Sequence, residues 1–136
     1  MRTIKRKQPS KYFLGGAIWD GKNDHYKEFI KKGIWRSGWG SDRELYMSTL
    51  EQIRPGDRIA IKKGLGQGNP RIQIRAIGIV KAVDLDEEFC TVYVDWLRTG
   101  MSRKVDSKGC YKTIHGPYSN NPNKDNAEWI NKVFCI

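Results

Sequence analysis

Residues 71–83, RIQIRAIGIVKAV, constrain the fold of this chain more than any other segment. Ile72, Ile74, Ala76, Gly78 and Val80 fall on one face of a strand, while Ile77 and Ile79 make the other face apolar near its middle. A strand apolar on both sides needs cover on both sides, so it belongs inside a sheet with packed layers. The chain has 136 residues, 38% of them hydrophobic. That suffices for one core, and it excludes wholesale disorder. A basic tail over residues 1–10 is expected to precede a single domain over residues 11–136.

Around that strand the pattern is mixed. Residues 11–19 (KYFLGGAIW) read as a buried strand whose Gly15 and Gly16 permit a bulge or the close approach of another group. Residues 24–32 place Tyr26, Phe29 and Ile30 at helical spacing and stop at Gly33. Residues 33–40 (GIWRSGWG) read as a loop carrying two tryptophans among three glycines. Ser41 as N-cap, with Glu44 three residues on, makes a capping box for a second helix lined by Tyr46, Leu50 and Ile53. Residues 58–63 alternate as a strand, 64–70 form a loop, and 89–96 form a strand rich in β-branched and aromatic residues. Residues 98–109 read as a long polar loop, 111–114 as a short strand, 116–126 as irregular, and 127–136 as a short helix or a final strand. This order predicts an α+β domain with a small, largely antiparallel, barrel-like sheet.

Lys and Arg number 25 against 15 Asp and Glu, a formal net charge of +10. Such a surplus favours a polyanionic partner, nucleic acid before an anionic membrane surface. The signs are segregated along the chain: residues 54–83 carry seven basic side chains and one acid, whereas residues 84–95 carry five acids and no base. Lys62, Lys63, Arg71 and Arg75 are the candidates for holding phosphates, and the glycines of residues 64–68 can bring backbone amides to the same groups. No stretch approaches the roughly 18 apolar residues of a membrane span. Residues 1–7 lack the apolar run of a secretory signal. Cys90, Cys110 and Cys135 are too few and too scattered for a disulfide framework. A reduced, cytoplasmic protein without a membrane partner is expected.

Catalytic and metal chemistry find little support. Cys110 and His115, five residues apart, have the residue types of a nucleophile and a base, but no signature surrounds them. The cysteines and histidines lack zinc-like spacing. Residues 84–88 lack the glycine and terminal Glu of a calcium loop. No Lys-Ser or Lys-Thr comes after the glycines of residues 64–68, which argues against a nucleoside triphosphate site. The expectation is a protein that is not an enzyme, with no cofactor and no metal.

The tryptophans are more informative. Trp19, Trp35 and Trp39 gather near the end of the first strand and in the glycine-bracketed loop. Glycines leave room for flat rings to form a slot, and stacking on such rings is worth about 1–3 kcal/mol per base. Extracting a base from a duplex costs a few kcal/mol, which one or two stacks offset.

The segments YFLGGAIWDG (residues 12–21), FIKKGIWRSGWG (29–40), IRPGDRIAIKKG (53–64), IRAIGIVKAV (74–83), VYVDW (92–96), KTIHGPY (112–118) and WINKVF (129–134) run in that order. Together they resemble the PUA-like superfamily, which includes the EVE and YTH domains, and look most like the EVE-type domains at the N-terminus of McrB-like restriction ATPases. The resemblance implies a small curved β-barrel, mostly antiparallel, flanked by short helices, with a pocket for a flipped and usually modified base. It matches Trp35 to a tryptophan of the aromatic cage and brings Trp19 and Asp20 to the same pocket, with Trp39 as a second ring. Trp35 and Trp39 would stack on the base, and Asp20 would accept a hydrogen bond from its polar edge. No ATPase follows, so the chain is expected to act alone or with an effector protein encoded separately. The function expected is a non-catalytic module that binds nucleic acid carrying a modified base, DNA favoured over RNA. The alternatives are an RNA-binding PUA-like protein, a protein-interaction or host-interference factor on the same scaffold, and, more weakly, a hydrolase of modified nucleotides.

Overall fold

A computed structural model describes residues 9–38 and 43–136, Arg43 by its backbone alone. Most of the basic tail, Trp39 and the expected N-cap Ser41 lie outside the described residues. Along the chain come β1 (Tyr12–Gly16), β2 (Ile18–Trp19), β3 (Asn23–Asp24), α1 (Tyr26–Lys32), β4 (Ile34–Gly38) and α2 (Arg43–Leu50). They are followed by β5 (Arg58–Gly64), β6 (Arg71–Leu85), β7 (Phe89–Arg98), β8 (Arg103–Asp106), β9 (Ile114–Tyr118) and α3 (Ala127–Phe134).

Seven strands form one sheet in the order β4-β7-β6-β5-β1-β9, with β8 paired to the first residues of β6. β1 runs parallel to β5, and the other pairings in the sheet are antiparallel. Strands β2 and β3 make a separate ribbon. The mixed, mostly antiparallel architecture with short helices matches the α+β expectation. Closure into a barrel does not: β4 and β9 stand at opposite ends of the path and do not pair among the described residues.

The long strand β6 is covered on both faces. α3 contributes Trp129, Ile130 and Val133 to one core, with Leu14, Ala60, Ile72, Ile74 and Ile77. α1 and α2 contribute Phe29 and Leu50 to the other, with Phe13, Ile59, Ile61, Ala76 and Val80. Each such aliphatic side chain, fully buried, contributes about 1.5–3 kcal/mol. The single apolar face expected over residues 72–80 is therefore divided. Ile61 opposes Ala76 while Lys62 opposes Ile74, which leaves Arg75 as an extra residue. A bulge reverses the facing of the strand residues on its far side, and so Ile72 and Ile74 pack on one side and Ala76 and Val80 on the other.

Other local differences have equally local causes. The expected loop over residues 33–40 is, up to Gly38, strand β4, paired with β7 from Ile34↔Tyr93 to Gly38↔Phe89. Gly33 ends α1 in the left-handed conformation, with φ of 65°, and so serves the helix and leaves the next residues extended. Residues 103–106, expected within a loop, extend the sheet as β8. The last strand falls at Ile114–Tyr118, later than expected, and the C-terminal segment is a helix. Asp57, buried after α2, accepts backbone hydrogen bonds from Lys11 and Arg54 and pairs with the Lys11 ammonium at 3.0 Å. That carboxylate ties the start of β5 to the start of β1.

Candidate nucleic-acid interface

Trp35 is the expected cage residue whose position changes most. It lies on β4, is 0% exposed, and its indole N–H donates to the carbonyl oxygen of Gly16 at 3.0 Å. A Cβ at Gly15 would collide with the Nε1 and Cε2 atoms of the same ring. The close approach that Gly15 permits is therefore filled by Trp35 itself. The open, glycine-framed ring expected from the sequence is corrected to a core indole, and as the chain is folded here Trp35 has no face to offer a base. Trp39, its expected companion, lies outside the described residues.

Trp19 is less enclosed than Trp35. It sits on β2, partly buried, stacked on Phe89 with ring centroids 6.2 Å apart at 20°, and 4.3 Å from the ring of His25. The Arg36 guanidinium lies over the other partner, 5.2 Å from the Phe89 centroid. Asp20 is exposed in the turn after β2: Asp20 and Gly21 have φ of 54° and 68°, and the Lys22 N–H closes the turn on the Trp19 carbonyl at 3.0 Å. Positive φ at both central residues is the hairpin geometry that Asp-Gly favours. The dipeptide is a hairpin signal legible in the sequence, masked there by the strand pattern of residues 11–19.

The four expected phosphate ligands separate into three settings. Lys62 and Lys63 share a recess of about 210 Å³ with Gly16, Ala17, Tyr111 and Lys112. Lys62 is only 7% exposed, and burial pushes its ammonium down to about 8. Lys112, on the segment before β9, joins them; it is exposed, and residues 111–113, expected within a short strand, lie outside the strands. Arg71 lies elsewhere, at the rim of a groove of about 810 Å³ between β8 and α3. Lys104, Lys108, Lys124 and Lys132 line that groove as well, against the acids Asp106 and Glu128. Arg75 is used internally. Its guanidinium pairs with Asp24 at 2.9 Å and sits 4.1 Å over the Tyr26 ring. Burial pushes the Asp24 carboxyl up, but the hydrogen bonds from Arg75 and the Tyr26 N–H outweigh it and hold the group below the usual carboxylate range. A phosphate would have to displace that pair, so Arg75 is a positioning residue for the β3 ribbon instead of a free cation.

The Cys110–His115 pairing is absent in space. The Cys110 sulfur meets the Tyr118 hydroxyl at 3.3 Å, and burial pushes its thiol up. His115 Nε2 accepts the Lys112 N–H at 3.0 Å, and burial, with Lys62 and Lys112 adding repulsion, lowers its pKa to about 4. Among the described residues no group of three His, Cys, Asp or Glu gathers as a metal site would, and no helix is long and apolar enough to cross a membrane.

No protein-family model matches the chain, and no curated protein matches it. Among solved structures it is similar to the YTH domain of the Zygosaccharomyces rouxii MRB1 protein, crystallised in complex with N6-methyladenosine RNA. The two are 18% identical over 79% of this chain and 68% of that chain, with a TM-score of 0.40. A superposition that loose identifies neither a family nor a ligand for this protein.

Proposed function

We propose that this protein is a non-catalytic nucleic-acid-binding module that discriminates a modified base, on DNA in preference to RNA. The observation that carries the proposal is the groove between β8 and α3, where one arginine and four lysines converge against two acids. Residues far apart in sequence are gathered there from β6, β8 and the approach to α3. An excess of ammonium and guanidinium groups along a continuous trough suits a phosphodiester backbone, whose charges recur at short intervals. Phosphate contacts of this kind fix register and affinity and leave base identity to other groups.

Base discrimination is assigned to Trp19, with Asp20 beside it in the hairpin turn. Its ring, partly buried and held by Phe89 and His25, supplies an indole on which a base can stack. Trp35 then acts indirectly, fixing the end of β1 through its hydrogen bond to Gly16. The test is a titration of tryptophan fluorescence with matched oligonucleotides: DNA and RNA, each with and without a methylated base. Tighter binding of the methylated DNA, lost in Trp19→Ala while the salt-dependent part of the affinity remains, is the expected result. Equal affinity for all four ligands would leave a general polyanion binder.

A further inference from the structure

We propose that the recess between β5 and the segment before β9 is a binding site for one phosphate group, clasped by Lys62, Lys63 and Lys112. This rests on the nucleic-acid reading for the source of the phosphate, and deepens it by separating an enclosed site from the open groove. Lys62 is 93% removed from solvent, yet among the described residues no carboxylate pairs with it. Its Nζ stands 3.7 Å from the position a Cβ would take at Gly16, on the wall of the recess. The two other cations of the recess are Lys63, next on the same strand, and Lys112, and no acid lines it. A buried ammonium without a counter-ion is costly, and an anion delivered into the recess removes that cost. A side chain at Gly16 would stand against the ammonium.

Occupancy of the site then depends on the protonation of Lys62. Its pKa of about 8, set by burial, means that the cation is retained at neutral pH and surrendered just above it. The groups facing it from neighbouring elements are Lys63 and Lys112, the Cys110 thiol with the Tyr118 hydroxyl beside that thiol, and the His115 ring, while the Tyr111 hydroxyl is hydrogen-bonded to Asn69 and Ser107. Burial raises the Tyr118 hydroxyl and brings His115 down to about 4, so neither changes charge between pH 7 and 9, and burial raises the Cys110 thiol as well. A phosphomonoester, with its second pKa near 6, is already a dianion across that window. Affinity is therefore full below about pH 8 and lost as the pH rises beyond it.

The experiment is a calorimetric titration of the full chain with thymidine 5′-monophosphate, with thymidine as the control lacking phosphate, at pH 7 and pH 9. Binding about tenfold weaker at pH 9, with no binding of thymidine, is expected for a site governed by one ammonium titrating near 8. Lys62→Arg keeps a cation that stays protonated, and should retain binding while flattening the pH profile. Lys112→Gln, at an exposed position, should weaken binding several-fold and keep the profile. A flat profile in the native protein, or a Lys62→Arg profile as steep as the native one, overturns the proposal. The nucleic-acid reading fails separately: binding of the monophosphate with the expected profile, together with no binding of any oligonucleotide, would leave this site standing and remove that reading.

Discussion

The indole N–H of Trp35 donates to the carbonyl oxygen of Gly16 at 3.0 Å, across the junction between β1 and β2. The ring edge of Trp35 lies where a Cβ of the preceding Gly15 would be. One buried side chain thus holds the strand that ends at the lysine recess and leads into the hairpin of Trp19.

Gly15→Ala should therefore destabilise the whole domain, since the added methyl group forces the indole aside at a cost of about 1–3 kcal/mol. Trp35→Phe keeps an aromatic ring and deletes the bond to Gly16, with a loss of about 0.5–1.5 kcal/mol. Urea denaturation followed by circular dichroism checks both. An unchanged unfolding midpoint for Gly15→Ala would contradict the packing described for β1 against β4.

Arg71 and Arg75, four residues apart on one strand, should behave differently toward nucleic acid. Arg71→Gln removes a cation from the groove and should lower the slope of log affinity against log salt by about 0.7–0.9. Arg75→Gln should leave that slope unchanged and reduce stability by about 1 kcal/mol, through loss of the Asp24 pair and the stack on Tyr26. Equal effects on binding would mean that the Asp24 pair opens when a ligand arrives.

His115 gives the fold a defined acid sensitivity. Burial lowers its pKa from the ordinary 6.5 to about 4, with the charges of Lys62 and Lys112 adding to the shift. Between those values the unfolded chain binds a proton that the folded protein refuses. Stability from this group is complete above pH 6.5 and is lost as the pH falls toward 4. His115→Gln should flatten the dependence of the unfolding midpoint across that interval, read by thermal melts at half-unit steps of pH.

Much of this architecture is legible in the residues. The two-faced apolar run of β6, the alternation of β5, the helical spacing of Tyr26, Phe29 and Ile30 and the stop at Gly33 each have a local cause that survives in the fold. The strand β4 is hidden because its glycines read as a loop; only pairing with β7, more than fifty residues on, makes Ile34–Gly38 extended. The bulge at Arg75 is hidden for a similar reason, since it depends on register against β5. For the candidate site, charge alone marked Lys62, Lys63 and Arg71. It could not separate a buried ammonium from an exposed one, nor show that Arg75 answers to Asp24. Lys104, Lys108, Lys124 and Lys132 are brought together with Arg71 only by the packing of α3 beside β8.

The salt dependence of oligonucleotide binding tests the role of that groove most directly. A single-stranded DNA should bind with a slope of about −2.8 in log affinity against log salt, as phosphates neutralised by Arg71, Lys104, Lys108 and Lys124 require, Lys132 being paired with Glu128 at 3.9 Å. Replacing Lys104, Lys108 and Lys124 together by Ala should reduce the slope by about 2. A slope near zero in the native protein, or one that the triple replacement leaves untouched, would contradict a nucleic-acid backbone lying in this groove.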